Sequence, residues 1–242
     1  MSPTLLCLHG WGGSKESFDA LRTALEGSGI TILAPDLPGF GTEPEPQQPW
    51  TNDDYADWVE HWVQSRVSSH EFRVSLLGHS HGGRIAMKLA ARGTLPIEHL
   101  YLCAPAGVRR GQYLKRVTGF ILAKTGKLLL SFPLLVSHFQ PLARRLLYRL
   151  LRVHDYEVAS PTMKRTMVQV TTENMRPFLP KMKVPTDIFW GEEDRVTPYG
   201  NASLMQAGIS GSILHSYSGV RHAVHKDKAR EIAEVIRARM RA

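Results

Sequence analysis

Cysteine is scarce in this sequence: Cys7 and Cys103 are the two among 242 residues, each in an apolar run, Leu5–Leu8 or Leu100–Ala104. That count excludes a disulfide-stapled framework, and both thiols read as buried residues in a reducing compartment. Met1-Ser2-Pro3-Thr4 runs straight into Leu5-Leu6-Cys7-Leu8 with no charged stretch ahead of a sustained apolar one. No secretory leader is read, and the expected location is cytoplasmic. Long hydrophobic runs are missing as well. The most apolar internal stretch, Leu128–Phe139, is short and broken by Pro133, so no transmembrane segment is expected. No G-x-G-x-x-G follows an apolar run, and no spacing of histidine, cysteine and carboxylate suits zinc. Neither a dinucleotide nor a metal is expected, so the cofactor expectation is none. With 43% hydrophobic and 21% charged residues, intrinsic disorder and collagen-like or coiled-coil architectures are excluded.

Acidic residues are in short supply in one place. The chain has 30 Lys+Arg against 22 Asp+Glu, a formal net charge of +8. Between Ala106 and Lys183 there are 15 Lys/Arg and 3 Asp/Glu, a balance of +12, which leaves −4 for the remaining residues. A basic balance suggests nucleic acid, a membrane surface or an acidic ligand. No nucleic-acid module is recognisable, so nucleic acid is not an expected partner.

What is present is an alternation of short apolar runs with longer amphipathic ones, the pattern of a parallel sheet with crossover helices. The strand candidates are Leu5–Leu8, Thr31–Ala34, Arg73–Leu77, Leu100–Ala104, Thr186–Trp190 and Ile213–Tyr217. Their near-continuous hydrophobicity fits strands covered on both faces. Helices are expected at Lys15–Glu26, Asn52–Ser68, Gly82–Arg92, Tyr199–Ala207 and Lys226–Arg241, with Ser14 and Thr51 as caps of the first two. Between Ala106 and Lys183 the alternation stops, and helices are expected in succession at Arg110–Thr125, Pro133–Arg152 and Thr162–Asn174. The expected organisation is a core domain of residues 1–105 and 184–242 with a basic helical cap, 106–183, inserted between two strands.

Gly78-His79-Ser80-His81-Gly82 matches G-x-S-x-G directly after an apolar strand and before a small-residue helix. In that context a sharp turn lifts the Ser80 hydroxyl out at the end of the sheet as a nucleophile. A serine hydroxyl needs a base, and the base needs an orienting carboxylate. Asp194, in the loop Gly191–Pro198, is the expected acid, and His222, after Gly219-Val220-Arg221, is the expected base. Both follow strands, at the carboxyl ends where open α/β sheets bind ligands. Glu192 and Glu193 read as solvated loop charges, and Arg84 as a structural ion-pair partner. His225 competes for the base role; at the start of the last helix it is expected to face solvent or cap. The oxyanion of a tetrahedral intermediate needs fixed N–H donors. These are expected from the backbone of His81 and of Trp11, in the loop His9-Gly10-Trp11-Gly12-Gly13. Gly10, Gly12 and His225 complete the expected substrate pocket, and the His81 imidazole is read either as touching substrate or as packing or hydrogen bonding.

These motifs together resemble the α/β-hydrolase superfamily over nearly the whole chain. His9–Gly13 is similar to its oxyanion loop, Asp36-Leu37-Pro38-Gly39-Phe40-Gly41 to its D-x-P-G-x-G loop, Gly78–Gly82 to its nucleophile elbow, Gly191–Asp194 to its acid loop and Gly219–His222 to its histidine loop. The stretch Glu173–Gly191 is similar to capped bacterial hydrolases of the carboxylesterase and C–C hydrolase type. The resemblance implies an open, mostly parallel sheet. The family usually has two extra strands before the oxyanion loop, and His9 stands too early for them, so a trimmed sheet of about six strands is expected, with Thr31–Ala34 at its edge. Cys103-Ala104-Pro105 offers no carboxylate at the alternative acid position, and a serine nucleophile disfavours epoxide hydrolase and dehalogenase chemistry.

The expected activity is serine-dependent cleavage of small carboxylic esters through an acyl-enzyme. Three other readings stand beside it: an esterase for acyl groups on an acidic carrier protein, a C–C bond hydrolase, and a non-catalytic binding protein on the same fold. Arg144-Arg145, Arg149 and Arg152 interleave with leucines in the inserted segment. They read as a solvated helix face, as an attractant for an acidic or anionic substrate, or as a lid that binds acidic lipid.

Overall fold

The computed structural model describes residues 2–66, 73–108 and 159–240. Six parallel strands form one sheet: β1 (Thr4–Leu8), β2 (Thr31–Leu33), β3 (Val74–His79), β4 (Ile97–Cys103), β5 (Thr186–Gly191) and β6 (Ile213–Tyr217). Their spatial order is β2-β1-β3-β4-β5-β6, all pairs parallel. The central strands are the apolar ones: every residue of β3 and β5 is buried, as continuous hydrophobic runs require when helices cover both faces. The outer strands β2 and β6 are partly exposed, so β2 stands at the edge as expected.

The helices are α1 (Asp19–Ala24), α2 (Asn52–Gln64), α3 (His81–Arg92), α4 (Pro161–Thr172), α5 (Gly200–Gly208), α6 (Val224–Asp227) and α7 (Ala229–Met240), with 3-10 turns at Lys15–Phe18 and Arg176–Lys181, among the described residues. α2 starts on a Thr51 capping box, and α3 ends on Gly93 in the left-handed conformation, φ 68°. Two expected helices are each broken in two. Lys15–Glu26 divides into a 3-10 turn and α1, and Lys226–Arg241 becomes α6 and α7, separated at Lys228.

Of the inserted segment, the expected helices Arg110–Thr125 and Pro133–Arg152, with Arg144, Arg145, Arg149 and Arg152, lie outside the described residues. Its trailing part is α4, whose N-terminus is capped by the Ser160 hydroxyl, which accepts from the Met163 N–H at 3.1 Å. This part is tied to the sheet domain. The Trp50 N–H donates to Thr166 Oγ1 at 3.0 Å, and Asn52 Nδ2 donates to the Val170 carbonyl at 3.0 Å and to Glu173 at 2.7 Å. Lys88 of α3, almost wholly buried, bridges Asp53 and Glu173 at 2.6 Å each, and Arg84 donates to the Glu173 carbonyl at 3.0 Å. A buried ammonium is tolerable only with such close counter-charges. Met175, Leu179 and Met182 then join the core formed by the strands.

Candidate active site

The turn from β3 into α3 is held in a strained shape. Ser80 has φ 51° and ψ −109°, a region that non-glycine residues rarely occupy, and neighbours pin it there. The Ser80 N–H donates to the Cys103 carbonyl at 3.2 Å, the Ser80 carbonyl accepts from Ala106 at 3.0 Å, and the Gly82 N–H donates to the His9 carbonyl at 3.0 Å. Small residues are required: a Cβ on Gly78 would stand 2.6 Å from the Gly82 carbonyl, and one on Gly82 would run into the Leu8 carbonyl.

The loop after β1 passes directly over this turn. A Cβ on Gly10 would lie 3.2 Å from Ser80 Cβ and 3.1 Å from His79 Cδ2. His9 fixes the loop. Its Nε2 accepts from the Leu37 N–H at 2.9 Å, so the ring proton sits on Nδ1 and goes to the Gly10 carbonyl at 2.8 Å. Burial pulls the His9 pKa down, which preserves this neutral tautomer. Gly12 follows with φ 71°, and the Gly13 N–H closes a turn onto the Gly10 carbonyl at 3.0 Å. The Trp11 N–H has no acceptor among the described residues, and the His81 N–H, at the first position of α3, is one of the donors a helix start leaves open. The next loop, Asp36–Gly41, is organised by the Asp36 carboxylate, which accepts from the Lys15 N–H at 2.7 Å and from the Thr42 N–H and hydroxyl at 3.0 and 2.9 Å.

The acid and base loops meet beyond β5 and β6. The Glu192 N–H donates to the Tyr217 carbonyl and the Glu193 N–H to the Val220 carbonyl, both at 3.0 Å. Glu192 and Glu193 are exposed as expected, and Asp194 is turned inward at 5% exposure. His222 Nδ1–H donates to Asp194 Oδ2 at 2.7 Å. Asp194 Oδ1 accepts from the Val196 and Thr197 N–H groups at 2.8 and 2.9 Å, and Oδ2 also accepts from the Thr197 hydroxyl at 2.7 Å. Burial by itself would raise the Asp194 pKa; the hydrogen bonds from His222 and Thr197 outweigh it and hold the carboxyl below its ordinary value.

Three more imidazoles surround Ser80. His79 donates Nδ1–H to the Cys103 carbonyl at 3.0 Å, and its ring lies 4.8 Å from His222 and 3.8 Å from His225. Burial, then the nearby His225 and His222, depress its pKa well below the usual value. His225 corrects an expectation. It is 3% exposed, wedged between His79 and Phe18, and neither ring nitrogen has a hydrogen-bond partner among the described residues. His225 lies in α6, a separate short helix whose Val224 and His225 are buried and whose Lys226 is exposed. His81 is 4% exposed, edge-on to Trp11 and Tyr55, again with both ring nitrogens unpartnered among the described residues. Of the roles read for this side chain, packing is the one these contacts show. Arg84, expected in a structural role, donates to the Glu173 carbonyl.

Thr197 is a site residue that the sequence reading passed over. Its hydroxyl touches Asp194 Oδ2 at 2.7 Å, His222 Nδ1 at 3.2 Å and the Ala104 carbonyl at 3.2 Å. The available signal was a threonine three residues after the aspartate, close enough in the chain for its N–H and hydroxyl to fold back onto the carboxylate. No group of three or more metal-ligating side chains occurs among the described residues. No helix among them is long and apolar enough to cross a membrane.

A strained serine turn at the carboxyl end of a central parallel strand, with a bonded Asp–His pair in the loops beyond β5 and β6, is the arrangement of the α/β hydrolase class. The chain belongs to the alpha/beta hydrolase fold family, whose profile matches residues 3–229. It is 28% identical to an uncharacterised protein of Mycobacterium tuberculosis, spanning 95% of this chain and 73% of that one. It is 23% identical to Lipase 1 of Psychrobacter immobilis, over 97% and 75% of the two chains. Among solved structures, a bacterial membrane phospholipase A superposes with a TM-score of 0.72 at 26% identity, covering 99% of this chain and 79% of that one. An esterase from Exiguobacterium antarcticum gives a TM-score of 0.72 at 23% identity, over 99% and 92%, a likeness of fold. The protein is accordingly a hydrolase with lipase- and esterase-like relatives.

Proposed function

We propose that the protein hydrolyses carboxylic esters through Ser80, His222 and Asp194. His222 Nε2 takes the Ser80 proton as Oγ attacks the ester carbonyl. The Trp11 and His81 N–H groups receive the oxyanion, and His222 then protonates the departing alcohol. Water, activated by the same imidazole, hydrolyses the acyl-enzyme. Asp194 keeps the His222 proton on Nδ1 and stabilises the imidazolium. One observation carries this reading: the 2.7 Å bond from His222 Nδ1 to Asp194 commits that nitrogen and leaves Nε2 for the serine. The lipases among the relatives support ester substrates. The buried, free thiols of Cys7 and Cys103 support a reducing, cytoplasmic setting.

The test is a fluorophosphonate probe with intact-mass detection, run beside hydrolysis of a short p-nitrophenyl ester. Ser80 is expected to take the label. Ser80→Ala is expected to lose both labelling and, by roughly 10⁶-fold in kcat, turnover. Labelling elsewhere in the chain, or turnover retained by Ser80→Ala, would defeat the proposal.

A further inference from the structure

Two sets of rings gather at the Ser80 turn. In one, His222 and His225 stand beside His79. In the other a row of rings runs Phe40–Trp11–His81–Tyr55–Trp50, successive centroids being 4.9, 5.5, 4.9 and 5.0 Å apart, each pair edge to face. Trp11 belongs to the loop that passes over Ser80 and His81 follows Ser80 in the chain, so this row starts beside the serine turn. Nearly everything in it suits a hydrocarbon. The Tyr55 hydroxyl is already used, donating to the Pro38 carbonyl at 3.0 Å. His81 is the exception. It is joined directly to Ser80, and both of its ring nitrogens lack partners among the described residues.

Leaving a buried donor or acceptor unpaired is costly, and an apolar side chain of similar size would carry no such cost. His225 has the same unpaired nitrogens but lies behind His79 against Phe18, away from the ring row. His81 is therefore the unpaired group in the ring row that directly follows Ser80 in the chain. From these contacts we propose that the acyl part of the ester seats against His81 and that His81 is a specificity-determining residue, selecting esters whose acyl chain carries a hydrogen-bonding oxygen, hydroxyl or keto, close to the scissile carbonyl. The inference rests on the esterase reading and narrows it to a substrate class. Burial, with Arg84 and His9 nearby, pushes the His81 pKa down to about 3, so the ring is neutral at physiological pH. A neutral imidazole presents one N–H and one lone pair; it matches a hydroxyl or a ketone and supplies no charge for a carboxylate.

The experiment compares p-nitrophenyl β-hydroxybutyrate with p-nitrophenyl butyrate, and β-ketobutyrate with butyrate, in wild type, His81→Leu and His81→Gln. The readout is the ratio of kcat/KM within each pair. Comparing that ratio between proteins cancels the intrinsic reactivity of the esters and any change common to both substrates. Wild type is expected to favour the oxygenated ester roughly tenfold more than His81→Leu does, the worth of one well-made hydrogen bond. His81→Gln is expected to retain part of the preference. Fluorophosphonate labelling of Ser80 in each variant reports whether the site is assembled. If the ratios match in wild type and both variants while esters are turned over, the His81 proposal is wrong and the esterase reading stands. If wild type neither turns over esters nor labels at Ser80, the esterase reading fails and takes this proposal with it.

Discussion

Asp187 and Asp194 bracket β5, the first as its second residue, the other just beyond its end. Each accepts hydrogen bonds from histidine: His99 at 2.7 Å and His215 at 2.6 Å for Asp187, His222 at 2.7 Å for Asp194. Their surroundings differ. At Asp187 both imidazoles approach through Nε2 from the flanking strands β4 and β6, and Arg239 of α7 adds its Nε at 3.1 Å. The carboxylate is surrounded by cationic or potentially cationic donors that tie three strands and the last helix together. At Asp194 one imidazole approaches through Nδ1, and the other donors are neutral and fixed: two backbone N–H groups and the Thr197 hydroxyl. An Asp–His pair is thus not itself a site. It becomes chemically useful when the histidine is held through one nitrogen, the other is left toward a nucleophile, and no arginine shares the carboxylate. Position agrees with this division, because ligands of open α/β sheets bind at the carboxyl ends of strands, where Asp194 lies, and Asp187 sits near the opposite end.

The largest effect expected from this contrast is on catalysis. Asp194→Asn is expected to lower kcat for a p-nitrophenyl ester about 10⁴-fold, because an amide stabilises the wrong imidazole tautomer and no imidazolium. Asp187→Asn is expected to change kcat/KM by no more than about threefold and to lower unfolding stability by about 3 kcal/mol in urea titrations, the cost typical of stripping one partner from a buried ionic cluster. A catalytic loss in Asp187→Asn as large as that in Asp194→Asn would erase the distinction.

A smaller effect concerns pH. Burial would raise the Asp187 pKa, but hydrogen bonds from His215, His99 and Arg239 outweigh it and hold the carboxyl well below the ordinary range. A depressed folded-state pKa contributes stability that is complete above the unfolded value, about 3.9, and disappears as pH falls through the folded value. The stability gap between wild type and Asp187→Asn is therefore expected to stay level from pH 7 to about 5. It should narrow only below about pH 4, as followed by urea midpoints. A gap that closed between pH 7 and 5 would show that the Asp187 carboxylate is not the group that sets it.

The two clusters also differ in how far they could be read beforehand. The Asp194 pair was legible because local features mark it: a loop after an apolar strand, in the chain order that a nucleophile turn at Ser80 demands. The sheet was legible for a similar reason, since β3 and β5 are unbroken buried runs. The Asp187 cluster was not, because it exists only once register is set. Tyr101 pairs with Asp187 and Phe189 with His215, which brings His99, Asp187 and His215 diagonally together on one face. The burial of His225 was not legible because it depends on His79 and Phe18, which lie far away in the chain and pack on its ring only in the folded protein. The His81 side chain was visible as polar, but the absence of a partner for it depends on which rings surround it.

The smallest prediction isolates the feature that separates the clusters, the neutral donors around Asp194. The Thr197 hydroxyl has one proton. At 2.7 Å from Asp194 Oδ2 against 3.2 Å from the Ala104 carbonyl, that proton belongs mainly to the carboxylate, and an oxygen lone pair is left for His222 Nδ1–H at 3.2 Å. Thr197 is therefore a positioning residue: it shares the carboxylate with His222 and offers the same N–H a second, weaker acceptor. Thr197→Val keeps the shape and removes both contacts. It is expected to lower kcat about tenfold with KM little changed, the equivalent of one hydrogen bond to a charged group, and Thr197→Ser is expected to restore activity to within about twofold. Because the hydroxyl acts through Asp194, Thr197→Val added to Asp194→Asn should cost far less than tenfold more. Full additivity in that double mutant would show that the hydroxyl acts independently of the carboxylate, and the neutral-donor distinction between the two aspartates would lose its support.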